Sequence, residues 1–137
     1  MEFSLAVRVY YEDTDAGGVV YYANYLKFFE RGRTEALREL GFEQSGLGAQ
    51  QDTIFAVRAI HVEYLLPAQL DDTLSVVTRI RLPGKASLEF EQLVVLENGY
   101  KILTTATVKV VCLRASTLKP RAIPEDILQA VEVYSAG

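Results

Sequence analysis

A chain of 137 residues, 50% hydrophobic and 23% charged, has ordinary globular composition and room for one core rather than two. Its net charge of −4 and pI near 5.0 argue against nucleic acid as a partner, since the 14 Lys and Arg form no basic run. The single cysteine, Cys112, excludes an intramolecular disulfide, and neither a leader pattern nor a membrane-length apolar run is visible. These totals predict one cytoplasmic domain over residues 1–137, with no membrane span.

Residues 3–11 (FSLAVRVYY) are rich in β formers and alternate loosely, which predicts a first strand. Asp13, Thr14, Asp15, Gly17 and Gly18 break it in an acidic turn. The spacing then predicts one long helix, with Asn24 as N-cap and Gly41 as its stop. Leu26, Phe29, Ala36, Leu37 and Leu40 fall on one side of it. The polar stretch 43–51 (EQSGLGAQQ) reads as a connection with room for one short turn of helix.

From Thr53 almost to Leu113 the chain reads as β. TIFAVRAIHVEYLL is a long strand closed by Pro67, and TLSVVTRIRL is a second that ends at Pro83-Gly84, a pair suited to a type II turn. SLEFEQLVVLE and YKILTTATVKVVCLR follow, joined by the hairpin signal Asn98-Gly99. The tail has Pro120, Pro124 and a short helical pattern, EDILQAVEVY. The order β, long helix, four antiparallel strands defines an α+β domain. Leu74, Val76 and Ile80 alternate with Val77, while Val108, Val110 and Cys112 alternate with Val111 and Leu113. Apolar residues on both faces predict that the second face, or a sheet edge, is covered by another copy of the chain.

Chemistry concentrates at Asp13 and Asp15. Near a helix N-terminus, whose unpaired N–H groups carry partial positive charge, a carboxylate can serve as nucleophile or general base while the N–H groups polarise a carbonyl. Two residues apart in extended backbone, the two side chains would share a side. The same residues also suit a plain turn with locally satisfied carboxylates. His61, the only histidine, reads as a surface or interface residue, and Cys112 as a buried thiol. No HExxH or CxxC spacing supports a metal site, and no G-x-S-x-G elbow, phosphate loop or dinucleotide fingerprint appears. Arg79, Arg81, Lys85, Arg114, Lys119 and Arg121 lie near strand ends and in the tail, either as ordinary surface charge or as contacts for the phosphates of a nucleotide-bearing ligand.

YYEDTDAGGVVYYANYLKFFERGRTE resembles the signature of hotdog-fold acyl-CoA thioesterases of the 4-hydroxybenzoyl-CoA thioesterase group. With VEYLLPAQLDDTL and LKPRAIPEDI, the resemblance is closest to the YbgC type associated with the Tol–Pal envelope system, and it covers nearly the whole chain. It implies a five-stranded antiparallel sheet wrapped around one long central helix, assembled as dimers whose sheets join edge to edge and as dimers of dimers, with active sites between subunits. It further implies Asp15 as the catalytic carboxylate, the Tyr22 backbone N–H as the donor to the thioester carbonyl, and Gly17 and Gly18 as the segment that admits substrate to the backbone. By the same resemblance Lys85, Ser87 and Arg121 are the residues expected at coenzyme A. Many YbgC-type members carry histidine where this chain has Tyr22. The expected activity is hydrolysis of acyl-CoA to free acid and CoA without metal or redox cofactor. A non-catalytic acyl-CoA- or partner-binding module is the alternative, and a hotdog hydratase a third reading that lacks its histidine.

Overall fold

Five strands account for the sheet in the computed structural model, which describes residues 2–136: β1 (Phe3–Arg8), β2 (Thr53–Tyr64), β3 (Thr73–Arg81), β4 (Ser87–Leu96) and β5 (Lys101–Arg114). All neighbours are antiparallel, in the order β1-β3-β4-β5-β2. β3, β4 and β5 therefore form a meander, and β2 returns to pair with β5 at the edge. The β4–β5 hairpin lies at Asn98-Gly99, with Gly99 at φ +91. The β3–β4 connection departs from expectation. Gly84 does not take the positive φ that a type II turn demands, because the chain leaves the ladder at Leu82 and re-enters only at Ser87.

The expectation of a sheet wrapped around one long central helix needs correction, because the described residues form three separate helices: α1 (Asn24–Glu39), α2 (Gln44–Gln51) and α3 (Glu125–Ala136). α1 is the anticipated helix, and Gly41, at φ +98, ends it with the Phe42 N–H bonded to the Leu37 carbonyl. α2 fills the stretch read as a connection. Its two glycines lower helix propensity, but burial of Leu47 and a left-handed Asp52 at its end, whose carboxylate accepts the Ser116 N–H and O–H, supply what propensity lacks. α3 buries Ile127, Val131 and Tyr134, and Tyr134 stacks on Phe3 with ring centroids 4.7 Å apart. Among the described residues no helix is long and apolar enough to cross a membrane.

α1 lies on one face of the sheet. Tyr25, Phe28, Phe29, Gly32, Ala36 and Leu37 are buried, whereas Leu26, expected inside, is 40% exposed. Phe29, Ala36 and Leu37 are buried as expected and Leu40 packs half-buried against the core, while Tyr25, Phe28 and Gly32 complete the stripe. A Cβ on Gly32 would stand 2.8 Å from Val76 Cγ1 and 3.0 Å from both Gln92 Nε2 and Thr78 Oγ1. The helix axis is thus as close to the sheet as a glycine permits, and a methyl there forces repacking that typically costs about 1–3 kcal/mol. Beneath it Leu74, Val76, Leu88, Phe90, Val94, Val108, Val110 and Cys112 form the core. Each of the large side chains contributes about 1.5–3 kcal/mol by burial.

The two faces alternate as the sequence predicted. Val77, Val111 and Leu113 occupy the opposite face half-buried, among polar neighbours that include the Arg81–Glu91 ion pair at 2.6 Å. The edge is barer. Val57 and Ile60 face the helix side, paired with Val110 and Val108, but α1 does not reach them, so they are 51% and 39% exposed. A bulge at Arg58, between Val57 and Ala59, interrupts the β2 register at this point. His61 is exposed there beside Glu63, and Cys112 is buried with its thiol pushed up by burial, both as expected.

Candidate active site

The acidic loop is built around Asp13. A single 3-10 turn at Tyr11–Asp13 coils the backbone where an extended strand was expected, so Asp13 and Asp15 do not share a side. Asp13 is only 8% exposed. Its carboxylate accepts the Tyr10 N–H at 2.9 Å and the Asn24 Nδ2–H at 2.8 Å, and its carbonyl accepts the Tyr21 N–H at 2.9 Å. One buried aspartate thereby ties the end of the first strand to the start of α1. Asn24 is consequently no N-cap. Ala23 holds that position without a side-chain bond, and the Asn24 amide is spent on Asp13.

Asp15 is exposed at the tip. Its N–H bonds the Val19 carbonyl at 2.9 Å and its carbonyl accepts the Gly18 N–H at 3.0 Å, closing a tight loop that Gly18 completes at φ +80. The Gly17 N–H donates to Asp15 Oδ1 at 2.8 Å, which fixes the carboxylate and leaves Oδ2 without a partner among the described residues. A Cβ at Gly17 would lie 3.2 Å from Oδ1, so a side chain there would crowd the carboxylate.

Tyr21 and Tyr22 lead into α1 with ring centroids 4.9 Å apart. The Tyr22 phenol raises the pKa of Tyr21 above the usual tyrosine range, with a smaller contribution from the Asp15 charge. The Tyr22 N–H, in the turn one residue before the N-cap Ala23, has no acceptor among the described residues. The Tyr22 carbonyl accepts the Tyr64 hydroxyl at 3.0 Å. Tyr22, Tyr64 and Tyr25 meet edge to face, and with Val20 and Leu65–Pro67 they line a hollow of about 240 Å³. Tyr25 is buried, which pushes its phenol up, and its oxygen accepts the Ala68 N–H at 3.1 Å. A hollow walled by tyrosines and apolar side chains next to a loop that carries an open carboxylate and an open main-chain donor is suited to acyl transfer.

Lys85, Ser87 and Arg121 come together, but at the other end of the sheet. The tail runs beside β5, so the Arg121 N–H reaches the Cys112 carbonyl and the Ile123 N–H reaches the Lys85 carbonyl, while Ser87 pairs with Val111. The Arg121 guanidinium is engaged by the fold: Nη1 donates to the Gln51 carbonyl and Thr53 Oγ1, and Nε to the Ala122 carbonyl. Tyr64 pairs with Thr104 and Phe55 with Cys112, eight residues apart on β5. At about 3.4 Å per residue the two groups lie about 27 Å apart within one chain.

Reasoning from the sequence missed Tyr25, Tyr64 and Arg33. Tyr25 and Arg33 stand four residues either side of Phe29, on the buried stripe of α1, and that spacing was the available signal. Arg33 donates to Gln92 Oε1 at 3.1 Å, and burial lowers its pKa. With Glu30, Phe55 and Val57 it lines a second hollow, of about 210 Å³, between α1 and β2. Tyr64 gave no local signal, since its partner is 42 residues away. Among the described residues no three His, Cys, Asp or Glu side chains gather as a metal ion would require.

Residues 9–131 match the model of the thioesterase-like superfamily, and the chain belongs to that family. It is 48% identical over 128 residues to the acyl-CoA thioesterase YbgC of Haemophilus influenzae, covering 93% of each chain. It is 50% identical over 127 residues to the acyl-CoA thioester hydrolase YbgC of Escherichia coli, covering 92% of each. The crystal structure of a probable thioesterase from Bartonella henselae superposes with a TM-score of 0.85 at 38% identity, over 90% of this chain and all of that one. Within the superfamily the chain thus falls among the hotdog-fold acyl-CoA thioesterases of the YbgC type.

Proposed function

We propose that this chain hydrolyses acyl-CoA thioesters with Asp15 as the reacting carboxylate and the Tyr22 N–H as the donor to the carbonyl. The activity rests on the family and on the relatives of similar length; the assignment of residues is our reading of the site. The observation that carries it is one loop holding both parts: a carboxylate tethered through one oxygen with the other open, and a main-chain N–H just before a helix, neither the open oxygen nor the N–H having a partner among the described residues. As the thioester carbonyl becomes tetrahedral, its oxygen gains negative charge that the Tyr22 N–H and the helix dipole stabilise. Asp15 either attacks the carbonyl carbon itself or takes a proton from the attacking water. The C–S bond then breaks and coenzyme A leaves as the thiolate; on the nucleophilic route water next hydrolyses the acyl-aspartyl anhydride, releasing the acid and restoring the Asp15 carboxylate. Gly17 and Gly18 keep the approach open.

The placement of Lys85, Ser87 and Arg121 supports a site shared between copies. Antiparallel pairing of two β2 edges sets the Thr53 end of one strand beside the Tyr64 end of the other. That arrangement carries the basic corner of one copy toward Asp15 of its neighbour. The exposed Val57 and Ile60 are the surface such pairing would cover. A single domain over residues 1–137, a cytoplasmic location and a dimer of dimers complete this reading. Light scattering that gives the mass of one chain at micromolar concentration would remove the shared site.

The deciding experiment is Asp15→Asn, assayed on whichever of acetyl-, benzoyl- and palmitoyl-CoA the unaltered chain cleaves fastest. Loss of a positioned nucleophile or base should lower kcat by about 10²–10⁴. Turnover near that of the unaltered chain rejects Asp15.

A further inference from the structure

We propose that Tyr64 is a positioning residue for the main-chain donor at the start of α1; this rests on the reading of Tyr22 above. Two peptide units meet at Tyr22. In the first, the Tyr21 carbonyl accepts the Asn24 N–H at 2.8 Å. A planar trans peptide sets its N–H opposite its carbonyl, so this bond aims the Tyr22 N–H away from the helix. In the second, the Tyr22 carbonyl accepts the Tyr64 hydroxyl at 3.0 Å. With the carbonyl on each side anchored, the two soft torsions at Tyr22 lose the freedom to re-aim the N–H between them.

The two anchors have different origins. Asn24 is part of the helix it starts, and its side chain is held by Asp13. Tyr64 belongs to another element. It is the last residue of β2, paired with Thr104, and the next two N–H groups, of Leu65 and Leu66, both donate to the Leu103 carbonyl. Its ring is further fixed edge to face against Tyr22 and Tyr25, with centroids at 6.1 and 5.6 Å. The sheet therefore fixes where the hydroxyl stands, and the hydroxyl fixes the Tyr22–Ala23 peptide that adjoins the one bearing the donor. A donor held in place before charge develops stabilises that charge without reorganising, which is the condition for oxyanion stabilisation to count.

Tyr64→Phe in the full chain separates this role from the hollow, because the ring stays and the hydroxyl goes. The expected result is a fall in kcat of about tenfold, less than for losing a donor outright, at unchanged KM and unchanged thermal midpoint. The pH profile of kcat should keep its shape, since Asp15 is untouched. An unchanged kcat overturns the role, as does a loss of kcat matched by a shift in KM or midpoint. Asp15→Asn measured alongside keeps the two readings apart. If that variant stays active, the site itself is misassigned and the role of Tyr64 falls with it. If it is inactive while Tyr64→Phe is unaffected, only the role of Tyr64 is rejected.

Discussion

Asp13 and Asp15 stand two residues apart on one loop and share one chemistry, yet the fold puts them to opposite uses. Asp13 is buried, and both its carboxylate oxygens accept hydrogen bonds from the segments it joins. Asp15 is exposed, with one oxygen tethered and one open. The difference comes from the 3-10 turn, which rotates one side chain inward before the chain straightens. A carboxylate is free to react to the extent that the fold leaves its lone pairs unspent, and spacing along the chain does not decide that.

The comparison predicts opposite signatures. The large catalytic loss in Asp15→Asn should come with a thermal midpoint close to that of the unaltered chain, since only the Gly17 N–H loses a charged acceptor on an exposed loop. Calorimetry showing marked destabilisation of that variant would blur the division of roles. Asp13→Asn should do the reverse. An amide oxygen accepts only one of the two bonds, so its NH2 either faces the Tyr10 N–H or makes the Asn24 amide turn round, and with the buried charged acceptor gone the loss is about 1–3 kcal/mol of stability, readable as a shift in urea midpoint. An equal urea midpoint would show that the loop does not depend on Asp13. The smallest effect is expected for Tyr22→Phe, which keeps the N–H and the carbonyl. Its kcat should stay within about threefold. A collapse of kcat would mean that the phenol, whose ring lies 4.9 Å from that of Tyr21, takes part in the reaction.

What was legible in the sequence was whatever depends on neighbours along the chain. Alternation marked the strands and their two faces, Gly41 marked the end of α1, and Asn98-Gly99 marked the hairpin. What was hidden depends on distant partners. α2 is held by Leu47 and by Asp52 gripping Ser116, 64 residues on, against the local preference of its glycines. Leu26 looked like core, yet it is exposed while Phe28, which the spacing did not single out, is buried. Asn24 looked like a cap, and its amide is instead drawn to Asp13, 11 residues back. At the site, the motif identified Asp15 and Tyr22 as candidates, but the hydroxyl that holds the Tyr22 peptide comes from the far end of β2.

The bulge at Arg58 has a consequence for the chain before it meets another copy. β2 is twelve residues long and lies at the edge of the sheet, so its outward N–H and C=O groups offer a template on which any stray strand could extend. An extra residue midway breaks that template into two short runs and places a charged side chain at the break. At the edge that would pair with a second copy, a newly made chain thus carries a break that disfavours a long stray strand, while a copy with the same break can still match it.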